Sequence, residues 1–312
     1  MYIVDSHCDS LALILSGKSR TLVNRYNFSS RYPQLQFAAA FCGIPGETNL
    51  QSYVRAQRYM SAFRAALAET DTALVEVCSY SDLQRAVSEK KSAAMLTVEG
   101  AGGAIFEKRS LLRELHSAGV RVIGLAWESN ELVKSNRLSY GEYDTGLSEI
   151  GREVACEINS LGMIFDVSHL SDRSFYDLAQ ISEKPIIATH SNFRSVCGHS
   201  RNLTDDMARL IFSRDGMIGL NLYPPFISEK KERQTAEGLF SQLDYGLMLG
   251  GEEHIGFGGD IDGTDGMYPY PLNEASSMHD KVIELMLRHN YSESLVRKIA
   301  GENYLAFLEK YL

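Results

Sequence analysis

Six side chains spread along a 312-residue sequence can do chemistry together: His7 and Asp9 in VDSHCDSL, Glu99 in LTVEGA, His169 in IFDVSHLSD, His190 in IIATHSN and Asp260 in HIGFGGDIDG. Each alone is an ordinary turn or capping group. As a set they mix imidazole with carboxylate, a donor combination suited to Zn²⁺ and tolerated by Mn²⁺, Co²⁺ or Fe²⁺. The lack of thiolates among them favours a catalytic over a structural site. His7 and Asp9 are two apart, so on an extended strand they share a face and can grip one ion, while Cys8 points into the wall. Glu99 has two oxygens and can bridge to a second ion completed by His169 and His190. Two ions about 3.5–4 Å apart hold and deprotonate a bridging water while one polarises a carbonyl, the machinery for hydrolysing an amide. Asp260, without an obvious ion of its own, suits the general acid/base that takes the water's proton and passes it to the leaving amine.

Something must bring residues so far apart in sequence to one place. They fall at the ends of short apolar runs, which recur at 2–7, 37–43, 93–99, 121–127, 163–169, 185–190, 217–223 and 254–260. Helical patterns at 50–69, 110–118, 148–161, 173–180, 204–212 and 235–249 separate them, with two or three more over 275–311. Runs such as Met163-Ile164-Phe165 are unbroken, as parallel strands buried on both faces require. Eight such strands with helical returns predict an α/β fold, a (β/α)₈ TIM barrel whose active site lies at the C-terminal strand ends. An open doubly wound sheet would spell the same alternation, but no G-x-G-x-x-G follows the first strand. Gly256, Gly258 and Gly259 are read instead as close packing at the barrel rim. No linker or repeat divides the chain, so residues 1–312 are expected to form one domain with a helical C-terminal tail.

Composition narrows the partners. With 31 Lys+Arg against 40 Asp+Glu the formal charge is −9, which offers no basic footprint for nucleic acid or an anionic membrane. The 44% hydrophobic content with only 7 Pro excludes disordered and low-complexity classes. The N-terminus lacks a basic lead into its apolar residues, and the five scattered cysteines form no C-x-x-C pair, so a cytoplasmic protein without a disulfide framework is expected.

Taken in order, the five segments that carry these six residues resemble the membrane dipeptidase (renal dipeptidase) family of zinc peptidases, within the amidohydrolase superfamily, over nearly the whole chain. In that family the H-x-D pair binds one zinc, the glutamate bridges, two later histidines bind the other zinc, and the aspartate of G-G-D contacts the bridging water and the substrate amine. The resemblance implies those roles for His7 and Asp9, Glu99, His169 and His190, and Asp260, with two Zn²⁺ per chain, a dipeptide substrate and a homodimer. The segment HSRNLTDD places Arg201 where the family binds a dipeptide's C-terminal carboxylate, a task suited to a bidentate guanidinium. The alternative is a surface arginine pairing with Asp205 or Asp206. Tyr223 in NLYPPF is expected to line the same pocket or to pack as a core aromatic.

One departure stands out. Where the best-known members carry a histidine that helps hold the reaction's oxyanion, IGLAWESN has Trp127, the sole tryptophan. Trp127 can donate one N–H but cannot carry positive charge, so transition-state stabilisation there is weaker or comes from elsewhere. The lipid anchor of mammalian members is not expected, since the sequence ends LAFLEKYL. The loops 17–36 and 128–146 are expected to roof the site. Lys18, Arg20, Arg25 and Arg31 in the first of them make a solvated face or attract acidic substrates. His116, His199, His254, His279 and His289 are read as surface or helix-end groups, and Asp262 and Asp265 as turn residues.

Three functions follow from this reading. The leading one is a dinuclear zinc dipeptidase acting on short peptides with a free amine and carboxylate, including those with a C-terminal D-residue. The second keeps the metals but cleaves a non-peptide amide, lactam or lactone. The third is a binding protein that retains the barrel without turnover.

Overall fold

The computed structural model describes residues 1–23, 27–69, 74–139, 141–275 and 277–312, so Arg25 of the basic loop lies outside the described residues. Its strands are β1 (Ile3–Cys8), β2 (Gln34–Phe41), β3 (Val75–Glu76), β4 (Ala93–Glu99), β5 (Val122–Gly124), β6 (Ile164–Asp166), β7 (Ile187–Ala188), β8 (Met217–Leu220) and β9 (Ile255–Phe257). They pair in parallel in the order β2-β1-β9-β8-β7-β6-β5-β4-β3, and β2 pairs again with β4 along Leu35–Phe41 against Ala93–Glu99. That second pairing closes eight strands into the expected TIM barrel. β3 stays outside the ring on the first two residues of β4. A two-residue strand is too short to show a period, which is why the sequence does not announce it.

Helical returns follow the predicted spans closely, among them Asn49–Ala68, Glu149–Ser160, Asp205–Ser213 and Ala236–Met248. Their starts are set by side chains: Thr48 and Gln51 form a reciprocal capping box, and Ser148, Ser171, Thr204 and Thr235 each accept a first-turn N–H. Among the described residues the helices Ser10–Leu15, Tyr80–Ser88 and Gly102–Glu107 and the single turn Pro224–Ile227 fall outside the predicted spans.

Several strands end earlier than their apolar runs. The runs 163–169 and 254–260 stop being strand at Asp166 and Phe257, and the chain then turns so that His169 and Asp260 carry left-handed backbones, φ 73° and 53°. These residues therefore reach the barrel mouth from turns, not from strands. Strain of this kind in non-glycine residues is characteristic of functional sites.

The opposite end is closed by the C-terminal helix Asn303–Tyr311, whose Tyr304, Phe307 and Leu308 join Val4, Phe37, Met95, Ile164 and Met217 in one buried apolar cluster. Tyr304 donates its hydroxyl to Ser6 Oγ at 2.7 Å within the barrel. A Cβ on Gly258 would collide with the Thr189 carbonyl oxygen and the Gly219 backbone, so this glycine serves close strand packing as expected. Among the described residues no helix is long and apolar enough to cross a membrane.

Candidate active site

His7 reaches the centre because β1 is irregular. Its pairing with β2 slips between Asp5 and Cys8, a bulge that re-aims side chains, and the His7 ring lies over His190 at 3.7 Å between centroids. Beneath it Asp5 accepts the N–H groups of His7 and Gly259 at 2.9 and 3.1 Å and pairs with His279 at 2.6 Å. His279, read as a surface or helix-end group, stands in the first turn of the helix Met278–Arg288 and is buried there as a strut. Cys8 is fully buried, as anticipated. Asp9 leaves the strand as the N-cap position of Ser10–Leu15, so the H-x-D pair converges through a turn and not along an extended strand.

The six expected residues meet. His7 Nε2 lies 3.4 Å from Asp9 Oδ2, 3.8 Å from Glu99 Oε2 and 3.9 Å from Asp260 Oδ1. Glu99 Oε2 is also 3.3 Å from His169 Nε2 and 3.8 Å from His190 Nε2. Among the described residues ligand atoms gather into three overlapping sets suited to an ion: Glu99 with His169 and His190, His7 with Asp9 and Asp260, and His7 with Asp166 and His190. Asp260 therefore stands with His7 and Asp9 as a candidate ligand, closer than a base with no ion of its own.

Burial and charge show that this cluster needs a cation. His7, Glu99 and His190 are at most 4% exposed, and His7 Nε2 and Glu99 Oε2 have no hydrogen-bond partner. Burial raises the pKa of Glu99, with Asp9 and Asp260 adding to it against the pull of His7. Burial raises Asp260 as well. For His7 burial disfavours charge, yet Glu99, Asp9 and Asp260 outweigh it and lift the ring far above the usual histidine range. A proton on His7 thus stands in for missing positive charge. Burial holds His169 and His190 well below that range, aided at His169 by Arg201 and Arg137 and at His190 by His7 and Arg201. They are neutral donors, the form that ligates metal. Three imidazoles and carboxylates with unmatched lone pairs fit a divalent metal.

Several supporting residues were not foreseen. Asp166 accepts the backbone N–H groups of Ser168 and Thr189 and the Thr189 hydroxyl at 2.5 Å, and that hydroxyl lies 2.8 Å from His190 Nδ1. Asn221 donates to Asp260 Oδ2 at 2.9 Å and fixes the general-base candidate. A carboxylate inside the apolar run IFDV was the available signal for Asp166, since a buried carboxylate must find donors.

Above the cluster opens a cavity of about 380 Å³, lined by Asp9, Glu99, His169, Asp260, Trp127, Arg201 and Tyr223 and also by Phe41, Arg137 and Phe226. Arg201 is buried and donates to Ser191 Oγ at 3.3 Å and the His190 carbonyl at 3.1 Å, in place of the surface pairing with Asp205 or Asp206. Tyr223 both lines the cavity and stacks edge-on against Phe226, so its two expected roles coincide. The 128–146 loop contributes Arg137, whereas no described residue of 17–36 lines the cavity; Asp262–Asp265 wall that side.

With the fold and cluster described, comparison with known proteins becomes informative. The chain is 32% identical over 238 residues to an uncharacterized protein in the pqqA 5′ region of Klebsiella pneumoniae, covering 74% of this chain and 86% of that one. An uncharacterized dipeptidase of Schizosaccharomyces pombe is 33% identical over 197 residues, 63% of this chain and 48% of that protein, so the match spans about half of the yeast relative. Among solved structures, the metallopeptidase dipeptidase AC superposes with a TM-score of 0.85 at 25% identity over 100% of this chain and 98% of that one. A metallopeptidase from Rhodobacter sphaeroides, liganded with a phosphinate mimic of the dipeptide L-Ala-D-Ala, gives 0.86 at 24% identity, with 100% and 99% covered. The family model of the membrane dipeptidases matches residues 1–311, and the chain belongs to that family of metal-dependent peptide hydrolases, peptidase family M19.

Proposed function

We propose that the protein is a dinuclear zinc dipeptidase in which His7 and Asp9 hold one ion, His169 and His190 the other, and Glu99 joins them. The observation that carries this reading is the meeting of three imidazole Nε2 atoms within 3.8 Å of the single buried oxygen Glu99 Oε2, which itself has no hydrogen-bond partner. Zinc bound there supplies Lewis acidity toward the amide carbonyl and acidifies the attacking water. Asp260, held by Asn221, takes the proton of that water and returns it to the leaving amine. The same carboxylate faces the substrate's free amino group, and Arg201 takes the C-terminal carboxylate across the cavity. A site of about 380 Å³ admits a dipeptide and little more.

A C-terminal D-residue is included among the substrates, in keeping with the L-Ala-D-Ala mimic held by the Rhodobacter protein of the same fold. We also place the protein in the cytoplasm as a homodimer acting through a single domain; five free cysteines suit a reducing compartment. Metal analysis of purified protein, paired with a screen of L,L- and L,D-dipeptides before and after chelation, tests the activity. Two zinc per chain and chelator-sensitive hydrolysis are expected. Metal-free protein with undiminished hydrolysis overturns the reading.

A further inference from the structure

The cavity holds a second guanidinium that binding one dipeptide carboxylate does not require. Arg137 NH1 lies 3.2 Å from His169 Nδ1, and Arg201 NH2 lies 3.4 Å from Nε2 of the same ring, so the two arginines flank one imidazole from its opposite nitrogens. Arg137 rests on the Trp127 ring at 5.2 Å and is held in place by its backbone, whose N–H donates to the His169 carbonyl at 3.2 Å. Asn136 beside it forms an antiparallel bridge with Leu170 and donates to Glu128 Oε2 at 2.8 Å. Among the described residues neither arginine forms an ion pair within 4 Å, and the Nε of each is buried without a partner.

Arg201 is buried and Arg137 half-buried, and positive charge so withdrawn from water without an ion pair is costly unless an anion completes it. The carboxylates of Asp9, Glu99 and Asp260 cannot serve, because they face the ions. Once Nε2 of His169 ligates an ion, the ring's hydrogen sits on Nδ1, which then offers Arg137 no lone pair. The guanidinium is left over the Trp127 face with its donors free. Trp127 itself carries no charge, so Arg137 is the cation at this wall.

We propose that Arg137 is a specificity-determining residue that binds a second carboxylate on the substrate, the side chain of a C-terminal aspartate or glutamate, while Arg201 binds the main-chain carboxylate. This rests on the dipeptidase reading above. Two guanidiniums on opposite sides of one ring offer two anion sites, and in an aspartyl residue the two carboxylates are joined through two carbons, in a glutamyl residue through three.

The test compares Ala-Asp and Ala-Glu with Ala-Asn, Ala-Gln and Ala-Ala as substrates of the zinc-loaded enzyme, for the natural sequence, Arg137→Met and Arg137→Lys. The acidic-to-neutral ratio of kcat/KM should exceed unity by about tenfold or more, carried mainly by KM, collapse in Arg137→Met and partly return in Arg137→Lys. Calorimetric binding of the uncleavable reduced-amide isosteres of Ala-Asp and Ala-Asn should show the same preference without turnover. An unchanged ratio in Arg137→Met, or an equal fall in kcat for acidic and neutral dipeptides with normal zinc content and melting temperature, overturns the assignment. Hydrolysis of none of these dipeptides overturns the dipeptidase reading instead.

Discussion

His169 and His190 face each other through their Nε2 atoms at 2.8 Å, and a single chain of donors decides which ring holds the hydrogen between them. Arg137 and Arg201 can only donate, one toward each nitrogen of His169, so the choice falls to the partners of His190. His190 Nδ1–H donates to the Thr189 hydroxyl at 2.8 Å, and that hydroxyl to Asp166 at 2.5 Å. His190 thereby presents a lone pair to the ion site in advance, whereas His169 must move its hydrogen to do the same.

The Asp166–Thr189 relay is thus a positioning device for His190. Thr189→Val keeps the shape of the side chain and removes the link, and zinc affinity at His190 should fall by about 10–100-fold. Titration against chelator-buffered zinc measures this. Two sites of natural affinity would leave the relay without that role.

Glu99→Gln removes the one carboxylate whose oxygen lies within 3.8 Å of His7, His169 and His190 together among the described residues. Because Gln cannot supply an anionic oxygen there, metal content should drop and dipeptide hydrolysis should fall by more than about 100-fold, beyond the effect of losing a supporting partner. Elemental analysis and initial rates on the same preparation distinguish loss of metal from loss of turnover.

Metal uptake should depend on pH with a definite sign. In the metal-free protein His7 is held protonated by the surrounding carboxylates, and burial favours the protonated form of Glu99. Both must lose those protons to ligate, so binding releases protons and apparent affinity rises with pH. Zinc titration by calorimetry at neutral pH in buffers of different ionisation enthalpy should report net proton release. A buffer-independent enthalpy would contradict it.

Gly258→Ala tests the packing beneath the site. Its methyl group would press on the Thr189 carbonyl and Gly219, so stability should fall by about 1–3 kcal/mol, seen as a lower Tm. Because Thr189 carries the relay to His190, zinc affinity should weaken in parallel.

How much of this was legible in the sequence depended on whether burial left a pattern. β4 is buried on both faces along its length and apolar in all but Thr97 and Glu99, and its predicted span of 93–99 coincides with the observed Ala93–Glu99. The runs at 185–190 and 254–260 contain strands of only two and three residues, because the chain must break from the ladder to turn His190 and Asp260 inward. Residue type and order revealed the six chemical groups, since imidazole and carboxylate at strand ends have few other uses in combination. Arg137 left no such trace. It sits in an irregular segment whose course is set by tertiary contacts, its backbone N–H on the His169 carbonyl and Asn136 against Leu170, and nothing local distinguishes it from a solvated arginine. The positive charge that Trp127 cannot supply was missing from the sequence reading for the same reason.

Trp127 has a further consequence. It is the sole tryptophan of the chain, and its ring lies 5.1 Å from Phe41, 5.9 Å from His169 and 5.2 Å from the Arg137 guanidinium. All indole emission from this protein therefore originates in the wall of the cavity, next to the candidate ligand His169 and the Arg137 guanidinium. An ion settling on His169, or a carboxylate drawn to Arg137, changes the field at the only fluorophore of its kind. The molecule carries a built-in optical reporter, able to follow loading of its own centre in real time without a label.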